Sequence, residues 1–268
     1  MSIKELLYVN RDDILVNGRI KYIPDDKGEY FPYELTCFDR NIYATADIEK
    51  VFSLADGEKE KKKKREATPS DDEESRRKSY NRARNNLFDL LMCTPAFDCF
   101  VTLTFDGRLI DRYNYDEIVK RIGVWLDNRV RRKGLKYVLV PEHHKDGAVH
   151  FHGLMNTAAL TLSRSFNAHN GSALFDDEGR PIFNIADFTL GFTTVIPLSG
   201  DNARVATAKY CYKYITKSQG KKVGGRYYLS GGDLGRPRYE YVICDYDSIS
   251  GKEMEIKQAN LKLKKVKL

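Results

Sequence analysis

Two periodicities alternate through the middle of the chain. Phe100-Val101-Thr102-Leu103-Thr104-Phe105 is β-branched and aromatic with apolar residues at every second position, which predicts a strand. Ile118, Ile122, Trp125, Leu126 and Val130 then recur at helical spacing, between Asn114 with Glu117 three residues on, a capping-box pattern, and the stop residue Gly134. Lys136–Val140 and Val149–Met155 return to the strand pattern, with His144-Lys145-Asp146-Gly147 as a hairpin turn between them. Residues 156–187 are rich in Ser, Asn and Gly and read as loop; Gly191–Ile196 is a fourth strand, and Asp201–Gln219 a long helix closed by Gly220. Upstream, Tyr80–Leu91 is a basic amphipathic helix that Thr94-Pro95 should stop.

The run Glu58–Lys78 (EKEKKKKREATPSDDEESRRK) holds no large apolar side chain, so it cannot offset the entropy of ordering and reads as a solvated linker or frayed helix. Four parts follow: an extension over 1–57 with short apolar pieces, a charged linker over 58–79, a main domain over 80–238, and a segment over 239–268 that ends in the basic run Asn260–Leu268. At 268 residues, 41% of them hydrophobic, the chain is long enough to bury a sizeable core. Its +7 formal charge favours a polyanionic partner, nucleic acid first. No apolar stretch reaches the length of a membrane span and no signal-peptide layout opens the chain, so a soluble cytoplasmic protein is expected. Five cysteines, Cys37, Cys93, Cys99, Cys211 and Cys244, never fall in a C-x-x-C spacing; reduced thiols are expected rather than a disulfide framework or a cysteine zinc site.

His150-Phe151-His152 places two imidazoles on one face of a strand and Phe151 on the other. If Lys145-Asp146-Gly147 is a three-residue hairpin loop with Gly147 left-handed, Glu142 pairs with His150 and joins that face; a two-residue loop would put His143 there instead, so His143 is the rival third ligand. Two histidines and a carboxylate suit a divalent ion such as Mg²⁺ or Mn²⁺ bound to a substrate phosphate, and Zn²⁺ also fits. On the helix after Asp201, Val205, Ala208, Tyr212 and Ile215 form the core stripe, while Tyr210, Lys213, Tyr214 and Lys217 share the opposite face as Y-x-x-K-Y-x-x-K. A phenol with a pKa near 10 becomes a nucleophile at neutral pH only beside positive charge, which the two lysines would supply.

FVTLTFD (Phe100–Asp106), PEHHKDGAVHFHGLM (Pro141–Met155) and KYCYKYITK (Lys209–Lys217) stand in the order and spacing of the three motifs of HUH rolling-circle replication initiators. The resemblance covers roughly Tyr80–Gly235 and is closest to the two-tyrosine phage and prophage type. It implies an α+β fold, with a central antiparallel sheet of about five strands flanked by helices, the His-Phe-His strand in the middle and the tyrosine helix beside it. It also implies a divalent cation, Mg²⁺ or Mn²⁺, on His150 and His152 with Glu142 or a neighbour completing the site, and Tyr210 and Tyr214 as nucleophiles. The implied activity is metal-dependent nicking and joining of single-stranded DNA through a 5′-phosphotyrosyl intermediate that leaves a 3′-hydroxyl primer. Partners would be single-stranded or supercoiled origin DNA with a host helicase and DNA polymerase, inside a bacterial cell. Basic and aromatic candidates for DNA contact are Arg82, Arg84, Arg164, Lys221, Lys222, Arg226 and Tyr227. The competing readings are a non-catalytic DNA-binding module, and a relaxase or transposase of the same superfamily.

Overall fold

The computed structural model describes residues 7–8, 15–43, 69–199, 205, 208, 226–256 and 261–268. The chain divides into two compact units, Asn86–Gly235 and a second built from Met1–Asn85 with Arg236–Leu268.

The strands of the first unit are β4 (Cys99–Phe105), β5 (Tyr137–His143), β6 (Val149–Met155), β7 (Leu162–Arg164), β8 (Phe183–Ile185), β9 (Gly191–Pro197) and β10 (Leu229–Gly231). They form a seven-stranded antiparallel sheet in the order β10-β5-β6-β4-β9-β8-β7. The strict alternation of β4 and of the first half of β6 is reproduced in their burial: Val101, Leu103, Phe105, Val149 and Phe151 point to one side and are buried. Helix α2 (Tyr115–Lys133) covers that side with Ile118, Ile122 and Leu126, all within the same hydrophobic cluster as the strand residues. Its N-terminus is fixed by Asn114, whose side-chain oxygen accepts the Glu117 N–H at 3.2 Å, and Gly134 closes its C-terminus in the left-handed conformation. Each fully buried aromatic or leucine of this layer contributes on the order of 1.5–3 kcal/mol.

Helix α1 runs from Pro69 to Cys93, so it starts inside the stretch whose composition reads as linker. Residues 156–187, loop-like in sequence, contain the short helix Thr157–Ala159 and the strands β7 and β8, drawn out by tight turns at Asn167–Ser172 and Asp176–Arg180. Asn167, Asn170, Gly171, Ser172 and Gly179 belong to those turns, whereas the strands rest on Leu162, Phe183 and Ile185.

The second unit has five full strands, β2 (Leu15–Pro24), β3 (Tyr30–Tyr43), β11 (Arg238–Cys244), β12 (Lys252–Ile256) and β13 (Leu261–Lys267), and a two-residue edge, β1 (Leu7–Tyr8). They form a six-stranded antiparallel sheet in the order β1-β11-β2-β3-β13-β12. The fold is therefore mostly β, with two sheets and two α-helices among the described elements; the expected α+β arrangement of one roughly five-stranded sheet flanked by helices is incorrect. The reason lies in the extension and the basic run. Their short apolar pieces pair with one another across the length of the chain, and the lysine-rich end is strand β13, hydrogen-bonded to β3. Alternation of lysine with leucine and valine suits a half-buried strand, and Leu261 and Leu263 are buried.

Cys37 of β3 and Cys244 of β11 form a disulfide with Cα atoms 6.7 Å apart, against the expectation of reduced thiols; Cys93 and Cys99 are free and buried, and Cys211 lies outside the described residues. Beside the disulfide the buried Asn17 donates to the Cys244 carbonyl at 2.8 Å and accepts from the Cys244 N–H at 2.8 Å. No helix among the described residues is long and apolar enough to cross a membrane.

Candidate active site

The hairpin between β5 and β6 sets the site. His144 N–H donates to Ala148 O at 2.8 Å, and Gly147 takes φ +90°, a conformation that glycine adopts without strain. The resulting register pairs Glu142 with His150 and His143 with Val149. Glu142 thus shares the face of the histidine pair, while His143 sits on the register of the buried Val149 and has its Nδ1 3.1 Å from Gly147 O. Next to His152, a Cβ on Gly153 would collide with the Val138 carbonyl, so glycine is what lets β5 and β6 approach at this point.

Pairing with β4 and β9 extends the face into two cross-strand rows, Glu142–His150–Thr104–Phe192 and Val140–His152–Thr102–Thr194. Thr102 Oγ1 is 3.1 Å from His152 Nδ1, and Thr104 Oγ1 is 3.4 Å from His150 Nδ1. A hydroxyl can donate or accept, so each threonine holds its ring in place under either tautomer and leaves Nε2 facing outward. His152 Nε2 lies 3.2 Å from Glu142 Oε2, the two rings are 5.6 Å apart between centroids, and Phe100 stacks on His152 at 6.1 Å. The His144 ring meets His150 edge-on at 4.9 Å, and its Nδ1 is 3.4 Å from Asp146, whose carboxylate is paired with Arg112 at 3.1 Å. Burial, reinforced by the neighbouring His144, holds the His150 imidazole below its ordinary pKa, which keeps it neutral and ligand-competent at neutral pH.

The donor set fits a hard or borderline divalent cation, with two imidazoles and a carboxylate on one face and threonine hydroxyls behind the rings. Among the described residues no three histidine, cysteine, aspartate or glutamate side chains already converge on one point. His152 and Glu142 instead share a hydrogen bond, and they would hold an ion together with His150.

The other residues singled out in the sequence fall in different places. Tyr210, Lys213, Tyr214, Lys217, Lys221 and Lys222 lie outside the described residues. Of the helix expected over Asp201–Gln219, Val205 and Ala208 are described and helical, with Ala208 fully buried as the apolar stripe requires. Arg82 and Arg84 are half-buried on α1, Arg84 with its guanidinium 5.9 Å from the Tyr80 ring. Arg164 stands on edge strand β7, four strands from the histidines, between the rings of Phe175 and Phe183 at 4.5 and 5.3 Å. Arg226 is exposed, and Tyr227 beside it is buried.

Thr102, Thr104, Phe100, Phe192 and His144 are the members of the site that motif reading passed over. The signal for four of them is present: in FVTLTFD, Phe100, Thr102 and Thr104 alternate onto the face opposite Val101 and Leu103, and Phe192 holds the matching position on β9.

A histidine pair and a carboxylate on interior strands of an antiparallel sheet, with hydroxyls behind the rings, form the candidate site. Residues 98–219, under half of the chain but every strand of this sheet except β10, match the family of replication-associated proteins of the ORF2 and gene 2 protein type, which supports a replication-initiator family for this region. Comparison with curated proteins and with solved structures returned no match.

Proposed function

We propose that the protein initiates rolling-circle DNA replication by nicking and rejoining single-stranded origin DNA at a specific site, with the HUH type of chemistry and two tyrosine nucleophiles. The observation that carries this reading is the row Glu142–His150–Thr104 beside His152–Thr102, inside a segment that matches a replication-associated family. A divalent cation bound by His150, His152 and Glu142 would polarise a non-bridging oxygen of the scissile phosphate. Thr102 and Thr104 fix the imidazole rings, and the sheet beneath holds both at a constant separation. Tyr210 or Tyr214, as phenolate stabilised by Lys213 and Lys217, attacks phosphorus in line. The phosphorus–O3′ bond breaks, the departing 3′ oxygen takes up a proton, and a 5′-phosphotyrosyl bond remains. The freed 3′-hydroxyl primes synthesis by a host polymerase, and a host helicase opens the duplex. Because transesterification conserves the phosphodiester energy, attack of a 3′-hydroxyl on the phosphotyrosine rejoins the strand without a nucleotide cofactor.

The test is covalent capture. Wild-type protein incubated with labelled single-stranded origin DNA and Mn²⁺ should form an adduct that survives denaturing electrophoresis, and the double variant Tyr210→Phe/Tyr214→Phe should form none while still binding the DNA. Adduct formation by the double variant at the wild-type level would overturn the tyrosine assignment.

A further inference from the structure

The row Glu142–His150–Thr104–Phe192 ends in a side chain that the nicking chemistry leaves without a role. Phe192 stands on β9 on the same face as the imidazole and the hydroxyl, and at 64% exposure it is the most open large apolar side chain among the described residues. Its neighbours on that face of β4 and β9 are hydroxyls, Thr102, Thr104 and Thr194. Threonine suits a water-facing strand position as well as phenylalanine does, so strand formation does not call for a ring here. Core packing does not call for one either, because the core side of β9 is held by Thr193 and Val195, both buried.

The backbone beneath the ring is fixed on both sides. A Cβ on Gly191 would collide with the Thr104 carbonyl, so glycine lets β9 lie hard against β4 just before the ring. Asp106 N–H donates to Leu190 O at 3.1 Å, and on the far side Ile185 N–H donates to the Thr193 hydroxyl at 2.7 Å. Neighbouring strands lie about 4.8 Å apart, so Phe192 stands two strands and about 10 Å from His150. A phosphate held at the histidines therefore brings the base of an adjoining nucleotide within reach of the ring. A phenyl group has no donor or acceptor; it grips a base by its face and is indifferent to which base that is. Such a face is free in a single strand and hidden within the stack of a duplex.

We propose that Phe192 is the stacking platform for a base adjoining the scissile phosphate, a substrate-binding residue that holds the single strand across the row while His150, His152 and Glu142 handle the phosphate. The proposal rests on the nicking reading for the place of that phosphate, and adds to it the group that positions the strand.

Equilibrium binding is measured with the full chain carrying Tyr210→Phe/Tyr214→Phe, in Mn²⁺, against labelled single-stranded origin DNA from which bases are removed one at a time. Adding Phe192→Ala should weaken binding of the intact strand about tenfold. At one position, and there alone, removal of the base should cost the parent protein about the same and the Phe192→Ala protein nothing further, the mark of a direct pair. Phe192→Trp should bind as the parent does, whereas Phe192→Leu, apolar but without a ring face, should resemble alanine. Mn²⁺ affinity by calorimetry and thermal unfolding should be the same in all of them. With both tyrosines present, Phe192→Ala should raise the DNA concentration for half-maximal capture about tenfold and leave the saturated rate within about twofold. Additive losses at every position, or parent-level binding by Phe192→Leu, would overturn the proposal. So would a fall in Mn²⁺ affinity in Phe192→Ala, which would mark the ring as a support of the histidine site. A wild-type chain that captures no DNA would instead defeat the nicking reading, and the binding measurements, made without cleavage, would still decide whether the ring holds a base.

Discussion

The seven-stranded sheet and the six-stranded sheet are both antiparallel and both alternate apolar with polar positions, yet they use that alternation differently. In the first, the polar side of β4, β5 and β6 gathers two imidazoles, two hydroxyls and one carboxylate within reach of one another. In the second, the corresponding side buries Arg19, Thr36, Phe38 and Leu263 and pairs Lys265 and Lys267 with Glu34, which serves packing. A site for chemistry needs a few groups held to within tenths of an ångström by neighbouring hydrogen bonds.

His152→Ala should break this contrast most severely. Mn²⁺-dependent adduct formation should fall by about a hundredfold or more, roughly 2.7 kcal/mol of transition-state stabilisation, because the proposed ligand and the partner of Glu142 are lost together. Thr102→Val, which keeps the shape but removes the hydroxyl behind His152, should give a graded version, about tenfold in Mn²⁺ affinity by calorimetry. An unchanged Mn²⁺ affinity in either variant would count against a ligand role for His152.

Asn17→Ala probes the other sheet. The side chain satisfies both the N–H and the carbonyl of Cys244 in a buried setting, so its removal leaves buried polar groups unpaired and should cost about 1–3 kcal/mol in chemical denaturation, with covalent capture unaffected under conditions where the variant remains folded. The smallest effect is expected in alkali. Burial, and then the hydrogen bond and charge of Glu240, push the Tyr22 phenol up to about 12. A raised phenol contributes stability that is complete below about pH 10 and is lost as pH rises towards about 12. Tyr22→Phe should therefore flatten the pH dependence of unfolding in that window, and an identical slope would show that this phenol does not titrate with unfolding.

What was legible in the sequence follows the range of the interactions. The turn Lys145-Asp146-Gly147 and the alternation of β6 are local, and from them the pairing of Glu142 with His150 could be read before any coordinates. So could α2, whose cap, apolar stripe and terminal glycine all lie within the span from Asn114 to Gly134. The six-stranded sheet could not, because its register is written in pairs such as Gly18–Val242 and Phe38–Leu263, drawn from opposite ends of the chain, each carrying no local mark. The disulfide between Cys37 and Cys244 was missed for the same reason, since sequence spacing says nothing of two cysteines brought together by a sheet. The small strands β7 and β8 were hidden by turn residues that outnumber the few side chains holding them.

The interleaving of β2 and β3 with β11 and β13 also fixes an order of events during synthesis. The ribosome completes residues 86–235 while β2 and β3 still lack their neighbours, so the histidine sheet can fold first and the six-stranded sheet waits until Lys267 has emerged. Until then those early strands travel with open edges, and their lysines, bulges and Pro32 are the features that discourage pairing with the wrong chain.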